Sequence, residues 1–172
     1  MALRLRLGLG LGQTTHQPTT AGNNGDEPVE QKITAANGTP NSSDVTLADA
    51  ENLGLSVAAN KNYIVRWVLL YTTDATTTGI EIAVNGPASP TAVNIAVCTQ
   101  LAASTNTRGV VSAYETTVDC AGTAAGTNQV VIEMSLRNGA NAGTVIPRFR
   151  SEINASGCTI MAGSFGQIWE VV

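Results

Sequence analysis

Between residues 3 and 11 leucine stands at every second position: Leu3, Leu5, Leu7, Leu9 and Leu11. Arg4, Arg6, Gly8 and Gly10 alternate with them. A period of two is the signature of a strand, because successive side chains of extended backbone point to opposite faces. Residues 12–28 carry almost no apolar side chain and are rich in Gln, Thr, Asn, Gly and Pro, which reads as an extended linker. The chain therefore divides near residue 28, into an N-terminal arm with its linker (1–28) and a domain (29–172). An isolated strand has nothing of its own to pair with, so this arm is expected to add to a sheet edge elsewhere. The plain alternative is a frayed terminus; leucine at every second position favours the arm.

After residue 28 short strand patterns recur, separated by turns. The segments are 29–34, 53–57, 63–72, 79–84, 92–101, 109–118, 129–136, 144–151, 157–161 and 165–172. Asn37-Gly38 and Asn85-Gly86-Pro87 are strong turn punctuation, and 102–108 and 121–128 read as loops of small and polar residues. Residues 45–52, with Ser43 or Asp44 as a cap, could form one helical turn at most. About ten strands at this spacing predict an all-β sandwich or barrel. The run Tyr-Ile-Val-Arg-Trp-Val-Leu-Leu-Tyr-Thr at 63–72 is nearly continuous in apolar residues. It predicts a strand covered on both faces, by the core on one and a neighbouring subunit on the other. Trp67 and Tyr71 are its candidate interface residues.

Composition narrows the chemistry. The chain has 172 residues, with 43% apolar, 13% charged and a formal net charge of −4. Its charged share is about half the usual 25% of a globular domain. An acidic surface disfavours nucleic acid as a partner, since phosphate contacts need basic residues. No stretch approaches the roughly 20 apolar residues of a membrane span. Arg4, Arg6 and the glycines also break the pattern of a signal peptide. The one histidine, His16, falls in the linker, which leaves serine or cysteine nucleophiles without an imidazole base. Gly163-Ser164-Phe165-Gly166 lacks the spacing of a nucleophile elbow and reads as a turn. Glu133 and Glu152 could face each other as a carboxylate pair, but pairing with arginine or plain exposure is the simpler reading. Asp44, Asp49 and Glu51 do not form a calcium loop. The expectation is no catalytic residues, no metal and no cofactor.

Cys98, Cys120 and Cys158 show no C-x-x-C or C-x-x-H spacing, so zinc is disfavoured. They read as buried small apolar residues; a Cys98–Cys120 bridge between neighbouring strands is the alternative. Arg148 and Arg150 share one face of a strand. They are either a contact surface, since arginine is enriched at interfaces, or intramolecular partners of Glu133 or Glu152.

Several segments resemble a group of small tailed-bacteriophage virion proteins. They are residues 63–71, Thr77-Thr78-Gly79-Ile80, Asn85-Gly86-Pro87, Asn138-Gly139-Ala140, Ala142-Gly143-Thr144, Arg148-Phe149-Arg150-Ser151-Glu152 and Ala162-Gly163-Ser164-Phe165. They lie within residues 63–87 and 138–172, about a third of the chain, and are turns and strand edges. The 63–79 stretch is also similar to the trimeric jelly rolls of the complement and tumour-necrosis-factor type, as fold analogy alone. The resemblance implies an antiparallel jelly-roll β-sandwich that forms a homotrimer. It implies a capsid cement (decoration) protein on the outer surface of the virion, with the major capsid protein as partner. The arm residues Leu3, Arg4, Leu5, Arg6, Leu7, Leu9 and Leu11 would then clamp neighbouring subunits. The rival expectation is a tail-fibre or spike tip that binds a host receptor.

Overall fold

The computed structural model describes residues 27–102, 105–120 and 126–172. The described residues contain no helix and form twelve strands in two antiparallel sheets. The first sheet is built from β1 (Glu30–Ile33), β4 (Asn62–Thr73), β6 (Ala92–Ala102), β7 (Thr105–Val111), β9 (Asn128–Arg137), β11 (Cys158–Ile160) and β12 (Phe165–Val171). Its order is β1-β12-β4-β9-β6-β7, with β11 pairing the far end of β4. The second sheet contains β2 (Ala48–Asp49), β3 (Leu55–Val57), β5 (Ile80–Asn85), β8 (Val118–Cys120) and β10 (Gly143–Ser151). Here the order is β2-β10-β5-β8, with β3 on β10. Apart from the β2–β3, β6–β7 and β11–β12 neighbours, every step along the chain crosses from one sheet to the other. The all-β sandwich read from the spacing of turns is the fold observed.

The longest strands form where the side chains allow only one choice of face. In β9, Val130, Ile132, Met134 and Leu136 are buried while Gln129, Glu133, Ser135 and Arg137 are exposed. In β4 the odd positions Tyr63, Val65, Trp67, Leu69 and Tyr71 are buried, and Asn62, Ile64 and Arg66 point out. Both inner faces meet Ile80, Ile82 and Val84 of β5, Leu55 and Val57 of β3, and Val145 and Phe149 of β10 in one core. β-Branched and aromatic residues dominate these strands, as a pleated and half-buried surface favours.

Trp67 sits in that core with no exposed surface. Its indole N–H donates to the Leu53 carbonyl at 3.0 Å, so the one polar atom of the ring is satisfied. Gly166 on β12 pairs with Trp67, and a Cβ there would lie 2.5 Å from the indole Cδ1. The glycine is needed because the ring occupies the space its side chain would take. At the open corner of the sandwich, the Glu30 carboxylate accepts the Ser56 N–H of β3 at 2.7 Å. Burial alone would raise the Glu30 pKa; the Ser56 N–H and the Lys32 ammonium, 3.1 Å away, outweigh it and hold the group below its ordinary value.

Several expectations shift. Residues 109–118 are not one strand: β7 ends at Val111 and β8 begins at Val118, because Ser112, Ala113, Glu115 and Thr116 form an exposed turn in which Glu115 takes a positive φ. The helical turn at 45–52 is absent. Short β2 pairs Asp49 with Arg148 there, and the sheet offers these backbone groups better partners than one turn of helix. Much of the loop expected at 102–108 is β7, paired with β6 from Gln100 onward.

Gly166→Ala should therefore destabilise the domain by about 1–3 kcal/mol through overpacking. Urea unfolding followed by Trp fluorescence measures this directly.

Candidate functional site

The antiparallel registers align side chains of the seven-stranded sheet into rows that cross it. Pairing of β12, β4, β9 and β6 places Trp169, Ile64, Ser135 and Asn94 in one outward row. The next row holds Gln31, Gln167, Arg66, Glu133, Ala96 and Val110. The third holds Ile33, Phe165, Val68, Val131 and Cys98, and ends at Arg108. An apolar row thus runs across five strands, which at about 4.8 Å per strand is roughly 19 Å. Beside it lies a polar row, and beyond that the Trp169–Ile64 pair.

Ile64 is 53% exposed, Val110 66% and Ile33 68%. An open hollow of about 420 Å³ spans the first two rows, lined among others by Trp169, Ile64, Asn94, Arg66, Glu133 and Ala96. The outer face of an antiparallel sheet that meets only water is normally polar; this one is not. Among the described residues its one ion pair, Arg66 with Glu133 at 3.8 Å, is half-exposed and long, and such pairs contribute little. Gln31 and Gln167 meet at 3.1 Å in the same row.

The outer face of the five-stranded sheet is the opposite in character. Arg148 contacts Asp49 at 2.9 Å and Glu115 at 2.6 Å, and donates to the Leu47 carbonyl at 2.7 Å. Arg150 donates twice to one oxygen of Glu81, at 2.9 and 2.6 Å, and once to the Val45 carbonyl at 3.2 Å. The two arginines staple residues 45–49 onto β10. Asp119 lies on the same side as Glu81 and Glu152; burial first, and then those two carboxylates, raise its pKa.

These placements correct the expected interface. Trp67 and Tyr71 are fully buried in the core of their own chain, so neither offers surface to a neighbour. Among the even positions of β4, Ile64 and Arg66 do, and Leu70 in part, while Val68 is buried. Asn62 and Arg66 carry the signal that could have found them, since polar groups must lie outside and fix the parity of the whole strand. Arg148 and Arg150 are intramolecular partners, of Asp49, Glu115 and Glu81 rather than of Glu133 or Glu152. Glu133 lies on the other sheet beside Arg66, and Glu152 accepts the Gly79 N–H at 2.9 Å, so no facing carboxylate pair forms. The arm residues Leu3, Arg4, Leu5, Arg6, Leu7, Leu9 and Leu11, and His16, lie outside the described residues.

Cys98, Cys120 and Cys158 are free thiols. The bridge between Cys98 and Cys120 is absent because they face different ways: Cys98 stands in the outward apolar row, whereas Cys120 points into the core from the other sheet. Burial is the main cause that pushes the Cys120 thiol up to about 11 and the Cys158 thiol up to about 12. Among the described residues, no group of three or more His, Cys, Asp or Glu is placed to hold a metal. Compared by sequence with protein-family models and with curated proteins, the chain matches none.

A thiol reagent at neutral pH should label Cys98 first in the folded, dissociated chain. Cys120 and Cys158 should react only on unfolding, because a thiol held protonated and buried is a poor nucleophile. Mass-spectrometric mapping of the label separates the three.

Proposed function

We propose that this protein is a structural component of a virion, a capsid cement protein of homotrimeric jelly-roll type that binds and stabilises the assembled head. The observation that carries this reading is the outer face of the seven-stranded sheet, where Ile64, Val110 and Ile33 stand exposed among the described residues. Self-association covers them. The polar row between the apolar ones carries Arg66 and Glu133 side by side, so Arg66 of one copy can meet Glu133 of the next around a threefold axis. A ring of three repeats one such heterologous contact until it closes. Fully covering a side chain the size of Ile64 is worth about 1.5–3 kcal/mol.

The strand order supports the jelly-roll description. With the β6–β7 hairpin set aside as an insertion, and β2 with β3 and β11 with β12 each counted as one interrupted strand, eight strands remain. They form two four-stranded sheets and change sheet at every step except β5 to β8, which pair with each other, the pattern of paired Greek keys. The resemblance to small tailed-phage virion proteins supplies the head as the binding partner. The low charge of the chain fits a protein that buries much of its surface in an assembly. Stabilisation then follows from linkage: a protein that binds only the assembled shell shifts the equilibrium towards it. The arm adds attachment points at high local concentration.

The test is copy number. Quantifying this protein against the most abundant shell protein of purified particles should give hundreds of copies at a simple ratio. A few dozen copies would move it to the tail and make a receptor-binding tip the better reading. Ile64→Asp, at a position 53% exposed on this face, should fold but sediment as a monomer and lose particle binding. Retained trimers would contradict the proposed face.

A further inference from the structure

β1 ends the order of the seven-stranded sheet: β12 pairs its one side, and no described strand pairs the other. The edge is poorly protected. Ile33 is 68% exposed and Val29, just before the strand, 46%. Two hollows flank it, of about 450 and 260 Å³, and Lys32 and Ile33 line both. Lys32, of the residue type that blunts such edges, is drawn to Glu30 at 3.1 Å.

We propose that this open edge receives residues 3–11 of a neighbouring copy as an added strand. The inference rests on the assembly reading above and names the partner of the arm. Three observations on the chain carry it. An added strand needs a free ladder of backbone groups, and a strand laid flat on the apolar face would leave its own N–H and C=O groups unpaired; an edge satisfies them. The five leucines share one face, so pairing in the right register extends the row that ends at Ile33 and covers that side chain. Arg4 and Arg6 then fall on the face of β1 that carries Glu30.

The linker gives the arm the reach of a neighbour. Hairpin loops usually hold two to five residues. The sixteen residues 12–27 are far more than that. At up to about 3.3 Å per residue they span roughly 50 Å, a distance suited to reaching another copy.

The experiment uses the full chain with a benzophenone-bearing phenylalanine at position 33. Chains grown in ¹⁴N and ¹⁵N media are mixed unfolded, refolded together, irradiated and digested. Light scattering of the same sample gives the assembly mass. The proposal predicts crosslinks from position 33 to residues 1–12 that join heavy to light chains. Leu7→Asp should abolish them without changing the assembly mass. Crosslinks confined to one chain, or none to the arm, in a sample that assembles would overturn the arm's placement and leave the assembly reading standing. A sample that stays monomeric would overturn both.

Discussion

The pairing of β4 with β9 runs unbroken from Asn62 opposite Arg137 to Tyr71 opposite Asn128, and the rest of the molecule hangs on it. A slip of one residue would turn Tyr63, Val65, Trp67, Leu69 and Tyr71 out to water and bring Arg66 into the core. The register therefore sets two surfaces at once. Inward it builds the layer that meets β3, β5 and β10. Outward it lines up Val68 with Val131, and through β12 and β6 it extends that contact to Phe165 and Cys98. Core and candidate interface are two consequences of one hydrogen-bonded ladder.

The two outer faces divide the work. On the five-stranded sheet Arg148 and Arg150 meet carboxylates and carbonyls of their own chain, so its charges are paired internally. That face holds its own surface segment, 45–49, in place. On the seven-stranded sheet the apolar rows meet no other part of the described chain. In the proposed assembly the unfinished face turns towards other copies and the charged one away from them. The edge strand β1 belongs to the unfinished side, because Ile33 is the terminal member of its apolar row.

Much of this was legible in the chain. The strand patterns at 63–72, 129–136, 144–151 and 165–172 coincide closely with β4, β9, β10 and β12, since long alternation with Gly and Asn turns has few other solutions. The two-residue β2 and the break between β7 and β8 were not, because so short a strand and so local a turn depend on the backbone of their partners. The burial of Trp67 and Tyr71 was missed for a specific reason. In a nearly continuous apolar run large side chains draw attention, whereas the parity is set by the polar minority, Asn62 and Arg66. The rows of the outer face could not be read at all, since they arise from registers between strands far apart in sequence, such as Phe165 opposite Val68. Arg148 and Arg150 were correctly placed on one face, but their partners, Glu81 on β5 and Glu115 in the turn after β7, depend on the same long-range pairing.

The central claim is that the outer face of the seven-stranded sheet holds copies of this chain together. Sedimentation equilibrium of the purified full chain over a range of concentrations tests it most directly. The account predicts a mass three times that of the chain, falling to one chain in the Ile64→Asp variant. A single-chain mass at every concentration would contradict it.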